Sequence, residues 1–298
     1  MTAITCKNVA KSFGKKTVLE QVSFQVKKGS ICALLGRNGA GKTTLLNCLC
    51  TKFLPDEGEI LVLDEPVYEN EKVLSQICFM SDYIEVFDVK SVKSILNFAV
   101  TFYKDWNMGL MNRMLNFFGI DKSVNYGSLS KGQQTIVGMI IGLCSNCEIV
   151  LLDEIYSGLD AAARQNFYEI LLEEQERNPR TFVLSTHLID EMAGMFTDVV
   201  ILDKGTVILQ EELEELHRKA FRCTGRCEKA ELLNKKNVIY RKEMGSLGTY
   251  DVYDELTKQE QQELEEAGFA ISALSLQELF LAITSDGTKE WSDENGAA

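Results

Sequence analysis

No stretch of this 298-residue chain is apolar for long enough to cross a bilayer as a helix, which takes about 18 to 20 residues in a row. Any helix that crosses a membrane would have to come from another chain. The first fourteen residues, MTAITCKNVAKSFG, hold no secretory apolar core, because their apolar positions alternate with Lys, Asn and Ser. The chain reads as cytoplasmic. A basic stripe is missing as well: the formal net charge is −13, and residues 211–298 carry 19 acids against 11 bases. Nucleic acid is disfavoured as a partner. Internal repeats, low-complexity linkers and sustained heptads are absent, so no long coiled coil is expected. The nine cysteines are an odd number in a chain with no export signal, so they read as reduced thiols. Cys144/Cys147 has CxxC spacing and Cys223/Cys227 is looser; zinc would need both pairs in register, and buried thiols are the simpler reading.

What is present is an ordinary globular composition, 45% hydrophobic and 25% charged, long enough for one large domain or two smaller ones. Residues 4–9 and 18–26 read as strands around a Gly14-Lys15-Lys16 turn. Residues 30–36 form a short apolar strand ending in glycine, and 42–51 a helix. Residues 91–118 show helical spacing, with Ile95, Phe98, Ala99 and Phe102 on one apolar face and Met111, Met114, Leu115 and Phe118 on another. From there the pattern alternates: helix 131–144, strand 147–153, helix 161–177, strand 181–185, helix 188–195 and strand 198–202. Such alternation predicts a mainly parallel sheet with crossover helices. Beyond Gln210 the elements turn short and acid-rich, with strands at 237–241 and 248–253 and helices at 257–267 and 275–284. The fold class is thus α/β: a core with a mainly parallel sheet, an N-terminal antiparallel part, an inserted helical subdomain and a small C-terminal α+β appendage. The expected domains are 1–214, with the helical insert at about 88–128, then 215–285 and a frayed tail over 286–298.

Gly36-Arg37-Asn38-Gly39-Ala40-Gly41-Lys42-Thr43 fits GxxxxGK[ST] in the required strand–turn–helix context. Backbone N–H groups at such a helix start can curl around phosphate oxygens, Lys42 can reach the β- and γ-phosphates, and Thr43 can hold Mg²⁺. The stretch Ile149-Val150-Leu151-Leu152 ends in two acids, Asp153 and Glu154, whose desolvation must be offset by a partner or a reaction. In a P-loop enzyme the acid ending a neighbouring strand holds the metal, which assigns Asp153 to Mg²⁺ and leaves Glu154 to orient or deprotonate the attacking water.

With these motifs in order, the chain resembles the ATP-binding subunit of an ABC transporter, of the bacterial exporter type. The resemblance covers residues 3 to about 210. Gly36–Thr43, with Thr44 after it, matches Walker A; Leu129-Ser130-Lys131-Gly132-Gln133 resembles the LSGGQ signature; Ile149–Asp153 matches Walker B with Glu154 as the catalytic glutamate. Ser157-Gly158-Leu159-Asp160 matches the D-loop, and His187 the switch histidine. Phe13 stands where the family stacks an aromatic ring on adenine. The resemblance implies catalytic roles for Glu154, His187 and Lys42. It also implies a head-to-tail dimer, homo- or heterodimeric, with ATP held between Walker A of one subunit and Ser130, Gly132 and Gln133 of the other. Partners would be transmembrane permease subunits on separate chains, keeping the protein on the inner face of the membrane.

Three positions depart from the pattern. Asp82 stands in place of the Q-loop glutamine, either as a hard Mg²⁺ ligand or as a residue pointing away. Lys131 replaces the first signature glycine, and Ile155 a common proline. Since Lys42, Asp153, Glu154 and His187 are intact, ATP hydrolysis is expected. The aromatics Phe98, Phe102, Tyr103 and Trp106 read either as a docking groove for a membrane subunit or as core packing. The segment His187–Met192 and the tail Leu274–Phe280 resemble exporter-type subunits, with peptide antibiotics, drugs or lipid-like compounds as candidate cargo. The alternative is a soluble ABC ATPase of an assembly system.

Overall fold

The structure, a computed structural model, describes residues 1–81, 91–156 and 158–285. They fall into two compact units, divided between Glu211 and Glu212.

The first unit is organised around a six-stranded sheet. Its order is Thr206–Glu212, Asp198–Asp203, Ile31–Leu35, Thr181–Ser185, Ile149–Asp153 and Ile77–Ser81. Strand Ile31–Leu35 runs parallel to both of its neighbours, and the three strands Thr181–Ser185, Ile149–Asp153 and Ile77–Ser81 continue the parallel set. The three strands Ile31–Leu35, Ile149–Asp153 and Thr181–Ser185 are buried at every position. That is why they read as continuous apolar runs rather than as alternations. The first unit's second sheet is four-stranded and antiparallel, built on the hairpin Thr2–Phe13 and Lys16–Lys27 with Glu57–Val62 and Glu65–Pro66 added. Helix Lys42–Leu49 contributes Leu45, Leu46, Cys48 and Leu49 to a core shared with Val9, Leu19 and Val22 of that hairpin and with Leu34, Leu151 and Leu202 of the large sheet. The nucleotide motif is thereby held between two sheets.

Two helices, Val92–Phe102 and Met108–Phe117, form the insert. Their buried residues are Val92, Ile95, Leu96 and Ala99 in the first and Leu110, Met111, Met114 and Leu115 in the second. Of the two readings of the insert's aromatics, core packing does not hold for Phe98 and Phe102. Phe98 and Phe102 are 63% and 64% exposed, and their rings pack on each other at 4.6 Å on the outer side. Ile95 and Ala99 set the direction of the core, and Val92 and Leu96 complete the stripe, so the two rings three and seven places along from Ile95 fall on its margin.

The second unit carries a four-stranded antiparallel sheet ordered Val238–Met244, Leu247–Tyr253, Ala220–Arg226 and Ala270–Ala273. Its own small core joins Phe221, Cys223, Leu233, Tyr250, Val252, Leu264 and Phe269. Sequence periodicity missed strands Glu57–Val62, Ala220–Arg226 and Ala270–Ala273 and helix Leu213–Lys219, all short and polar enough to blur the pattern. Among the described residues no helix is long and apolar enough to cross a membrane. The nine cysteines are free thiols, and no cluster of the described residues is arranged to hold a metal through His, Cys, Asp or Glu alone.

Candidate functional site

Helix Lys42–Leu49 begins with no side-chain cap. Gly41 precedes it at φ 109°, and no acid occupies its first turn. Its first N–H groups are left for a ligand, and the helix dipole favours an anion there. Glycine is required at two points of the loop. A Cβ on Gly36 would lie 2.5 Å from the Leu202 carbonyl oxygen, and one on Gly41 2.7 Å from a Leu19 methyl. The loop and helix start wall a cavity of about 840 Å³ that also meets Phe13, Glu154 and His187. Asn38, Gly39, Ala40, Gly41, Lys42, Thr43 and Thr44 all line it.

Lys42 is 7% exposed, and its ammonium donates to the Gly36 carbonyl at 2.7 Å. It also stands 3.7 Å from Glu154 Oε1. The other Glu154 oxygen lies 2.6 Å from His187 Nδ1, close enough for the ring N–H to donate to the carboxylate. Glu154 therefore bridges the phosphate-loop lysine and the histidine at the cavity wall.

The two adjacent acids part company because of one backbone torsion. Asp153 closes its strand and is 5% exposed. Glu154 still donates its N–H to the Ser185 carbonyl, but at φ 53° it has entered the left-handed region, which costs on the order of 1 kcal/mol for a residue with a Cβ. The turn carries its side chain to the cavity while Asp153 stays inside. Burial pushes the Asp153 carboxyl above the ordinary aspartate range, against the lowering effect of the Thr43 hydroxyl. Among the described residues, Asp153 Oδ1 and the neighbouring Ser185 Oγ are buried without hydrogen-bond partners. An unpartnered carboxylate oxygen beside a threonine hydroxyl is a hard-oxygen donor set that suits Mg²⁺.

The signature residues are elsewhere. Ser130, Gly132, Gln133 and Asp160 do not line this cavity. Ser130 caps helix Lys131–Cys144 in a capping box: its hydroxyl accepts the Gln133 N–H at 3.2 Å, and Gln133 Oε1 accepts the Ser130 N–H at 3.1 Å. A Cβ on Gly132 would stand 2.7 Å from the Gly158 carbonyl, so this helix start packs against the loop that follows Glu154. Lys131 is exposed, and its stem lies beside Gly158. Asp160 caps the next helix, Ala161–Arg177, by accepting the Ala163 N–H at 2.8 Å. Asp82, Ser157 and the tail 286–298 lie outside the described residues.

Sequence reasoning passed over Lys16, Val18 and Arg37, which also line the cavity. Lys16 could have been found from the hairpin, since it pairs with Phe13 across the turn. It also passed over Arg164, whose guanidinium donates to the Leu159 carbonyl at 2.7 Å and to Glu191 at 2.8 Å, fixing the loop around Gly158. No sequence motif marks that residue.

The family described as ABC transporter matches residues 19–157. An uncharacterized ABC transporter ATP-binding protein of Methanocaldococcus jannaschii is 33% identical over 224 residues, spanning 72% of this chain and 80% of its own length. A methionine import ATP-binding protein of Chlamydia pneumoniae is 28% identical over 226 residues, 72% of this chain and 66% of its own. Among solved structures, an ATP-binding subunit of an ABC transporter superposes with a TM-score of 0.66 at 23% identity, covering 72% of this chain and 92% of that one. A dimeric ATP-binding cassette bound to ADP and phosphate superposes at 0.61 with 21% identity, covering 70% and 98%. The archaeal relative sets the family and the superpositions set the fold: this chain belongs to the ABC transporter ATP-binding proteins and is an ATPase.

Proposed function

We propose that this ATP-binding subunit hydrolyses ATP through Lys42, Glu154 and His187 in a head-to-tail dimer, and that it powers an exporter whose transmembrane subunits are separate chains. The observation that carries the reading is the Glu154 carboxylate suspended between Lys42 and His187 at the wall of the phosphate-loop cavity. Without nucleotide, Lys42 offsets the charge of Glu154. A triphosphate seated on the helix N-terminus competes for the lysine ammonium and leaves Glu154 free to accept a proton from the attacking water. His187 holds the far oxygen of that carboxylate and keeps it aimed at the cavity. Thr43 and Asp153 would hold magnesium, which supplies charge neutralisation at the phosphates.

Ser130 and the start of helix Lys131–Cys144 serve the partner subunit's nucleotide, consistent with their absence from the lining of this chain's own cavity. Loss of the γ-phosphate then removes the bridge between subunits. Export, at the inner face of the membrane, is supported by the resemblance of His187–Met192 and Leu274–Phe280 to exporter-type subunits, with peptide antibiotics, drugs or lipid-like compounds as the cargo class. The test is to purify the tagged chain from membranes of its own cell in mild detergent. A multi-pass membrane protein recovered in stoichiometric amount supports the reading, and vesicles bearing that complex should then accumulate cargo on the face opposite the ATPase. Recovery with a soluble partner alone overturns it in favour of an assembly-type ATPase.

A further inference from the structure

Phe13, which lines the cavity, is not free to move as an isolated exposed ring would. Phe13 is 46% exposed, yet it is braced on two sides. Phe53 packs edge-on against it, with ring centroids 5.2 Å apart and planes at 75°. The Lys11 ammonium sits 5.6 Å from its centroid. Lys11 is itself fixed: Asp56 accepts from its Nζ at 2.7 Å, and the other Asp56 oxygen accepts the Ser12 N–H at 2.7 Å. Those charge-assisted bonds hold the Asp56 carboxyl below its ordinary range, with the Lys11 hydrogen bond the larger cause. Phe53 and Asp56 both belong to the loop that leaves helix Lys42–Leu49. The Phe53 N–H donates to the Asn47 carbonyl at 3.2 Å, and the Asn47 amide donates to the Thr43 carbonyl at 2.7 Å. The Asp56 N–H is held by the Ala10 carbonyl at 2.8 Å.

We infer that Phe53, with Lys11 and Asp56, positions Phe13 as the platform for the nucleotide base, so that one helix sets both ends of the ATP site. Its first turn cradles phosphate, and the loop after its last turn supplies the ring and the carboxylate that fix the platform. Phe53 is a positioning residue: it acts through Phe13. The inference rests on Phe13 being the base platform, as the resemblance implies. A braced ring loses less freedom on stacking than a mobile one, so the brace strengthens base binding and leaves the phosphate end unaltered.

The experiment compares binding of ATP and of inorganic triphosphate, together with steady-state ATPase kinetics, in Phe53→Ala, Phe53→Tyr and Phe13→Ala. Phe53→Ala is expected to weaken ATP binding and raise KM by about 2- to 10-fold, the range of one aromatic pair, with kcat held within about twofold. Inorganic triphosphate, having no base, should bind Phe53→Ala as it binds the parent, and Phe53→Tyr should restore ATP affinity. If Phe53→Ala weakens both ligands equally, the residue merely supports the helix and the inference fails. If Phe13→Ala weakens ATP while Phe53→Ala does not, the brace is refuted and the platform stands. If Phe13→Ala itself leaves ATP affinity unchanged, the platform reading falls first. Lys11→Met provides an independent check: it keeps the stem and removes the ammonium, and it should shift KM in the same direction as Phe53→Ala.

Discussion

A single torsion separates two adjacent carboxylates into two environments, and the separation has thermodynamic as well as chemical consequences. Asp153 is buried, with one oxygen unpartnered among the described residues, and its pKa is raised by that burial. Through the interval above the ordinary aspartate value the folded chain holds this proton more tightly than the unfolded chain does, so stability falls as pH climbs through it. At neutral pH without nucleotide the group is a net liability. Asp153→Asn should therefore raise the urea midpoint at pH 7, with the gain shrinking as pH falls toward the ordinary aspartate range. The same variant should lose ATPase activity, a trade of stability for function that a purely structural aspartate would not show. That Asp153 and Glu154 belong to a candidate site could be read in the sequence, because a strand of apolar residues ending in acids is chemically conspicuous. The left-handed turn at Glu154 could not, since nothing local distinguishes a glutamate that must adopt it.

At the scale of elements, the helix starts carry the design. Helix Lys42–Leu49 leaves its N-terminus uncapped, whereas Lys131–Cys144 closes its own with a Ser130–Gln133 capping box. Ser130→Ala should cost about 1 kcal/mol of stability, measured by chemical denaturation, because the Gln133 N–H loses its acceptor. In the proposed head-to-tail dimer, Ser130→Asp should recover the cap and yet fail to support ATP-driven dimerisation, since it would set a negative charge against the partner's phosphates. Gly36→Ala should abolish nucleotide binding, because its Cβ meets a carbonyl oxygen rather than a side chain that could swing away. Most helices and parallel strands of the core were legible because burial on one face or both leaves a strong period. Phe98 and Phe102 were left open between groove and core, since an aromatic at helical spacing fits either; Val92, Ile95, Leu96 and Ala99 face inward and the two rings stay exposed. In the second unit the strands at 237–241 and 248–253 were legible, whereas Ala270–Ala273 was not: it buries none of its residues fully, so no alternation survives.

At the scale of the whole molecule, each unit has its own core and each should report its own unfolding. In the second unit Arg222 donates to both oxygens of Asp251, at 2.6 and 2.9 Å, and to Glu278 at 2.7 Å. The Asp251 side chain is 3% exposed, so Arg222→Met strands a buried carboxylate and should lower that unit's stability by roughly 1–3 kcal/mol. Calorimetry should show one transition moving and the other, the one that shifts on adding ATP, staying in place. The account as a whole stands on ATP hydrolysis at Glu154. Its most direct test is phosphate release by the purified chain with magnesium and saturating ATP, set beside Glu154→Gln, with nucleotide binding measured for both. The parent should release phosphate, and the variant should bind ATP while its rate falls on the order of 100-fold or more. A variant that turns over at the parental rate would contradict the role given to Glu154, and with it the mechanism built on the Lys42–Glu154–His187 bridge.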